Sequence, residues 1–294
     1  MAHLVAGIGE LLWDVLPGGK ELGGAPGNFA WHVHALGTES VVISRVGDDS
    51  DGREIERRLE RMGLRRDLVD VDPAHATGRS TVSLDETGTP SFHVHENAAW
   101  DFIRSTPALT RIAEACSAVN FGTLGQRAPL SRATIRSFLS KTRPSAIRLF
   151  DLNLRPPHYG REVIETSLSI ATAVKLNDVE LAVVAGMFGF SSDVHEALGE
   201  LASRWRLRLV ALTRGARGSV LFADGCVSVH PGFQTEIVDS VGAGDAFAAA
   251  IVVGMLRGWD IERVNEHANR VASFVCSKRG ATPDLPPELV DPAA

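Results

Sequence analysis

The chain has 294 residues, 44% of them hydrophobic, and a formal net charge of −6, which suits one large α/β unit or one such unit with a small appendage and gives no basic field to attract nucleic acid. The opening ten residues have no positive n-region and meet an acidic side chain too early for a secretory signal. The longest apolar stretch, 246–256, falls short of the roughly 20 residues a bilayer span needs, so a cytoplasmic protein without membrane association is expected.

Taken in chain order, short apolar runs rich in β-branched residues at 5–8, 41–46, 118–121, 146–150, 173–176, 207–213 and 219–222 are mostly followed by polar helical stretches. That alternation predicts a mainly parallel sheet with helices on both faces. Ligands in such sheets collect at the carboxyl ends of the strands. The polar motifs sit accordingly: Asp14 after the first run, Asp151-Leu152-Asn153 after the fourth, Asn177 after the fifth and Thr213-Arg214-Gly215 after the sixth. Two regions, 10–24 and 77–95, show period-two alternation instead, the second as Ser80-Thr81-Val82-Ser83-Leu84 and Ser91-Phe92-His93-Val94-His95 around the turn-rich 85–90. They read as short strands projecting from the main body, an insertion in a single domain covering 1–294. Residues 53–66 mix Arg with Glu and read as a solvated helix face. Cys116, Cys226 and Cys276 are odd in number, widely spaced and read as buried thiols, and the ten histidines show no metal spacing.

The segment Asp239-Ser240-Val241-Gly242-Ala243-Gly244-Asp245-Ala246-Phe247 carries the chemistry. The small apolar residues after it predict a buried helix whose first turn is 242–245. The leading N–H groups of a helix lack internal partners and carry the positive end of its dipole, so Gly242, Ala243 and Gly244 can hold an anion. The two glycines let that backbone approach a phosphate with no Cβ in the way. Capping can fall to Asp239 or Ser240, leaving Asp245 to accept a proton from a hydroxyl while the amides hold phosphoryl oxygens. A plain strand-to-helix turn with a capping carboxylate is the other reading of the segment taken alone.

Together with Gly23-Gly24-Ala25-Pro26-Gly27-Asn28, this segment resembles the paired signatures of the PfkB, or ribokinase-like, family of carbohydrate kinases, over residues 4 to about 283. Gly9-Glu10-Leu11-Leu12-Trp13-Asp14 and Ala98-Ala99-Trp100-Asp101 resemble the fructokinase-like members in particular. The resemblance implies a ribokinase-like fold with a small β lid, from 10–24 and 77–95, over the sugar and often a homodimer contact. It implies ATP and Mg²⁺, with a monovalent cation such as K⁺ left open, and it gives Asp14, Gly24 and Asn28 the sugar hydroxyls. Asn177 and Glu180 resemble the family's Asn-x-x-Glu element, which places Mg²⁺ and phosphate, commonly through water; Mg²⁺ keeps several waters, so one amide and one carboxylate suffice. Asp151 to Arg155 resembles an Asp-x-Asn-x-Arg segment in which Arg155 can meet the phosphate or the substrate. Thr213, Gly215 and Gly218 resemble a Thr-x-Gly-x-x-Gly nucleotide loop, and Asn269 a helix lining the adenine pocket that Gly280-Ala281 closes.

Local readings remain beside these. Residues 23–28 can be a helix start with Pro26 in its first turn, Asn177 and Glu180 a capping box, Arg155 and Asp151 an ion pair, 213–218 a hairpin turn, and the 77–95 hairpin an ordinary surface feature. The expectation is an ATP-dependent sugar kinase with fructose as first substrate; ribokinase, 2-keto-3-deoxygluconate kinase and nucleoside kinase are the near alternatives. A nucleoside kinase would need an aromatic slot, for which Trp13 and Phe29 are candidates. A sugar or nucleotide sensor without turnover would not need Asp245. Gly-Gly-x-x-Gly without a following lysine is no P-loop, and Gly9-Glu10-Leu11 after the first strand is no dinucleotide fingerprint.

Overall fold

The structure, a computed structural model, describes residues 3–16, 18–84 and 90–290. The apolar runs become strands. β1 (Leu4–Ile8) leads to an antiparallel pair, β2 (Leu12–Leu16) and β3 (Gly19–Gly23), and then to α1 (Ala25–Ala35), which has Pro26 in its first turn. β4 (Glu39–Gly47), α2 (Ser50–Arg61) and β5 (Val69–Asp72) precede a hairpin of β6 (Gly78–Leu84) and β7 (Pro90–Val94); the predicted turn over 85–89 lies outside the described residues. Strands and helices then alternate: α3 (Pro107–Ala115), β8 (Ala118–Gly122), α4 (Pro129–Ser140), β9 (Ile147–Asp151), α5 (Arg161–Ile170), β10 (Ala173–Asn177), α6 (Asp178–Phe188), α7 (Val194–Trp205) and β11 (Leu209–Thr213). β12 (Ser219–Ala223) and β13 (Cys226–His230) turn back antiparallel, and α8 (Ala243–Leu256), α9 (Ile261–Cys276) and α10 (Pro287–Val290) complete the chain.

Among the described residues, nine strands form one sheet in the order β13-β12-β11-β10-β9-β8-β1-β4-β5, parallel from β11 through β5. Four more form the predicted small sheet, β3-β2-β6-β7, in which β2 runs parallel to β6 and Asp14 stands opposite Ser80. β5 and β13 lie at the edges of the large sheet and lack a continuous apolar run, which is why the sequence pattern does not announce them.

Period-two alternation decides what each face of the large sheet buries. Ile8, Val119, Phe121, Phe150 and Val174 pack with side chains of α3 to α7 on one face; Val5, Ala118, Leu149, Ala173 and Leu209 pack beneath α1, α8 and α9 on the other. α8 is buried from Ala246 to Gly254, and its residues are apolar all round because it is covered on every side. Full burial is worth roughly 1.5–3 kcal/mol for each large side chain it carries, such as Phe247 and Ile251. One step nearer the carboxyl ends on that second face, the same alternation replaces the apolar row with Asn120, Asp151 and Lys175, all buried. The sheet thus delivers a polar row beneath the first turn of α8.

Two sequence expectations are corrected. Cys116 is buried, but Cys226 is exposed on β13, an edge strand, and Cys276 is half-buried at the end of α9. Trp13 and Phe29 make no aromatic slot: Trp13 is completely buried against Leu11, Ile55 and Leu59, and Phe29 is buried under the large sheet. The charged face of α2 is as expected, with Glu54 accepting from exposed Arg57 and Arg61.

Candidate active site

Gly242 is the N-cap of α8, with φ 79° and no side-chain cap. A Cβ there would stand 2.5 Å from the Ala281 carbonyl oxygen, and left-handed backbone strains any side chain, so only glycine fits. The expected cap does not come from Asp239. Its Oδ1 accepts from the Val241 amide and its Oδ2 from the Gly280 amide, fastening the 280–281 turn against the helix end. Ala243 N reaches the Ser240 carbonyl at only 3.4 Å. The leading amides of a long buried helix are therefore left for an anion. At Gly244 a Cβ would lie 3.0 Å from Lys175 Nζ, so the missing side chain brings a cation up to the same turn.

Asp245 is the third residue of α8, and its carboxylate turns to another helix: Oδ2 accepts from Asn28 Nδ2 at 2.8 Å. The two motifs meet there. Burial raises the pKa of Asp245, while the Asn28 bond and the charges of Lys175 and Arg155 pull it down. The first effect strengthens a proton acceptor and the second keeps it ionised.

Asp14 comes from β2 of the small sheet, and Gly24 is the N-cap of α1 with its backbone packed on the Glu10 carbonyl. Burial lifts the Asp14 pKa to about 6, Ser80 and Arg155 oppose the rise, and Asp245 adds to it. Arg155 is exposed on the loop after β9, and its charge acts on Glu10, Asp14 and Asp245 together. It does not pair with Asp151. That alternative fails because Asp151 is buried against Lys175, with Nζ to Oδ1 at 3.1 Å.

Lys175 is the residue that motif reading passed over. Burial would push its pKa down, and Asp151, Glu180 and Asp245 more than reverse this, so the ammonium stays charged beneath the α8 turn. A lone lysine between Val174 and Leu176 in a buried strand was the available signal, since such a charge needs a partner. Glu10 was also passed over; burial raises its pKa to about 7, and Asp245 adds to the rise.

Asn177 and Glu180 form a full capping box at the start of α6. Asn177 Oδ1 accepts from Glu180 N at 2.9 Å, and Glu180 Oε2 accepts from Asn177 N at 2.8 Å. Glu180 Oε1 accepts from Leu154 N at 2.8 Å. The expected metal pair is thus tied down by backbone, with lone pairs left over on its oxygens.

The nucleotide residues fall into two groups. Thr213 ends β11, and 214–218 is a hairpin loop to β12 with Thr213 opposite Ser219; Gly215 opens a short 3-10 turn and Gly218 packs on the backbone of 230–232. The hairpin reading therefore holds, at the carboxyl end of a central strand. Asn269 is buried on α9, where Nδ2 donates to Ser219 Oγ at 2.6 Å and to the Asn265 carbonyl at 2.8 Å. Its amide is committed to joining α9 to β12, so direct recognition of a base through those donors is not what the geometry provides.

Comparison with known proteins bears on the family and the fold. The family described as pfkB family carbohydrate kinase matches residues 12–288. An uncharacterized sugar kinase of Pyrococcus horikoshii is 30% identical over 291 residues, 95% of this chain and 91% of that one, and its structure in complex with ATP aligns with a TM-score of 0.79 over 95% and 94% of the two chains. A fructokinase of Klebsiella pneumoniae is 30% identical over 84% of this chain and 83% of its own. A Burkholderia thailandensis nucleoside kinase, solved with inosine, shares the fold with a TM-score of 0.81 at 20% identity, over 99% and 95% of the chains.

Proposed function

The chain belongs to the pfkB family of carbohydrate kinases, and on that premise we propose that this sugar kinase phosphorylates fructose with ATP as donor. The carrying observation is the 2.8 Å bond from Asn28 to Asp245, which joins the helix expected to hold the sugar to the helix expected to hold the phosphate. Asp14, the Gly24 backbone and Asn28 orient the sugar so that one hydroxyl faces Asp245. Asp245 takes the proton of that hydroxyl as its oxygen bonds to the γ-phosphorus; the bond from phosphorus to the bridging oxygen breaks, and ADP leaves with its electron pair. The amides of Gly242, Ala243 and Gly244, with Lys175 and Arg155, stabilise the charge on the transferring group. Asn177 and Glu180 would hold Mg²⁺ through water, and the ion, when bound, neutralises charge on the phosphates. Thr213, Gly215 and Gly218 take the nucleotide side, with Asn269 fixing the helix behind it. The same reading treats 1–294 as one domain and the outer strands of the lid, β3 and β7, as the surface for a second copy, which light scattering checks.

Fructose is put first because a relative 30% identical is a fructokinase, while Trp13 and Phe29, being buried, do not supply the aromatic slot considered for a base. ADP release with ATP and Mg²⁺ across fructose, ribose, glucose, 2-keto-3-deoxygluconate and adenosine tests this. Fructose should give the highest kcat/KM, on the order of 10⁴ M⁻¹s⁻¹ or more. A higher value for another acceptor would replace fructose, and silence on the whole panel would overturn the proposed reaction.

A further inference from the structure

Glu10 follows β1 and is 4% exposed. It lines one cavity with Ala25, the first residue of α1, the helix that carries Asn28. Its Oε2 has no hydrogen-bond partner among the described residues. Asn120 is an amide within the apolar run of β8, 2% exposed, and its Nδ2 also has no partner among those residues. Both residues line one cavity of about 10 Å³, together with Pro26, Thr123, Asp151 and Asn153.

A cavity of that size accommodates one water-sized oxygen. An unpaired buried acceptor and an unpaired buried donor are each unfavourable, yet a single hydroxyl oxygen satisfies both, donating to Glu10 and accepting from Asn120. We propose that Glu10 and Asn120 are positioning residues that hold one hydroxyl oxygen between them, and that this oxygen keeps Glu10 in place against Ala25 and Pro26 at the start of α1 so that Asn28 stays on Asp245. The positioning role rests on the phosphoryl-transfer reading; the oxygen site does not. The oxygen belongs to an ordered water or to a hydroxyl of the bound sugar.

Crystal structures of the whole protein with and without fructose, at a resolution that shows waters, test the site without any substitution. An oxygen within hydrogen-bond distance of Glu10 Oε2 and Asn120 Nδ2 in both identifies a water, one seen only with fructose identifies a sugar hydroxyl, and none in either overturns the proposal. The role is tested by Glu10→Gln, Asn120→Asp and the reciprocal exchange of both. Asn120→Asp sets a second carboxylate against Glu10 and should lower kcat about tenfold with the KM for ATP little changed; Glu10→Gln alone, whose amide can still present an oxygen, should cost less, and combined with Asn120→Asp it removes the repulsion and restores most of the loss, a coupling within the range of contacting pairs. Losses that simply add, or single variants that turn over like wild type, would overturn the role. If no acceptor is phosphorylated at all but the exchange restores the melting temperature lost in the single variants, the kinase reading fails and the oxygen site stands.

Discussion

Helices α6 and α8 begin alike in sequence and differently in structure. Each starts at the carboxyl-end side of the large sheet with an acidic residue at its third position, Glu180 in one and Asp245 in the other. Glu180 folds back on Asn177 and on the Leu154 amide, so the α6 end satisfies itself. Asp245 reaches out to Asn28, and its own helix end stays uncapped by any side chain. The difference is one of N-cap residue: asparagine supplies an acceptor for the first turn, whereas glycine supplies none and leaves the amides and the carboxylate for a ligand. An N-terminus that its own chain has not capped is the one open to a ligand.

The largest break in that comparison is Asp245→Asn. Turnover should fall by roughly 10²–10⁴-fold, the usual share of a general base, measured as ADP release at saturating fructose and ATP; a variant near wild-type rate would make the two helix ends equivalent. Next is Lys175→Met, which strands the buried Asp151 carboxylate, a change that usually costs about 3–5 kcal/mol of folding stability. Urea unfolding checks it, and adding Asp151→Leu should recover part of the loss. At the α6 end the effect should be smaller: Asn177→Ala removes a cap worth about 1 kcal/mol, seen as a lower Tm, and if water-mediated metal placement is right it also raises the Mg²⁺ needed for half-maximal rate. A lower Tm with an unchanged Mg²⁺ requirement would leave Asn177 as a cap and nothing more.

The last effect, read as a slope with pH, concerns Asp14. Its folded pKa, about 6, lies above the ordinary carboxylate value, so the native state holds its proton more tightly than the unfolded chain does. The stability this contributes is complete at pH below about 4 and fades as pH rises through 6. Asp14→Asn, which does not titrate, should therefore show a shallower fall of Tm between pH 4 and 7 than wild type; parallel curves would mean that the Asp14 carboxyl is not held protonated by burial.

Much of this was legible in the sequence, for local reasons. The seven apolar runs are strands because continuous β-branched segments have few alternatives, and 246–256 is a buried helix because nothing in it tolerates water. Gly242 was expected in the first turn of that helix, and it is the N-cap of α8, where a Cβ would meet the Ala281 carbonyl. What escaped depends on contacts between distant segments. Asp151 chose Lys175 over Arg155 because adjacent strands bring Asp151 and Lys175 into register, whereas Arg155 lies beyond the strand end. Trp13 and Phe29 look like a slot until the fold buries them. Glu10 and Asn120 lie 110 positions apart, and only the packing of α1 over β8 gives their unpaired atoms a common cavity. Asp245 and Asn28, 217 positions apart, were expected at one site, but not as a direct bond.

The central claim is that Asp245 is a base rather than a support for the sugar site, and calorimetric titration of fructose into the Asp245→Asn protein tests it most directly. The account predicts a Kd within about tenfold of wild type, a change under about 1.4 kcal/mol, in a protein whose turnover is lost. Loss of fructose binding together with turnover would contradict it, and would make the Asn28 to Asp245 bond a scaffold of the sugar pocket rather than the place where the proton goes.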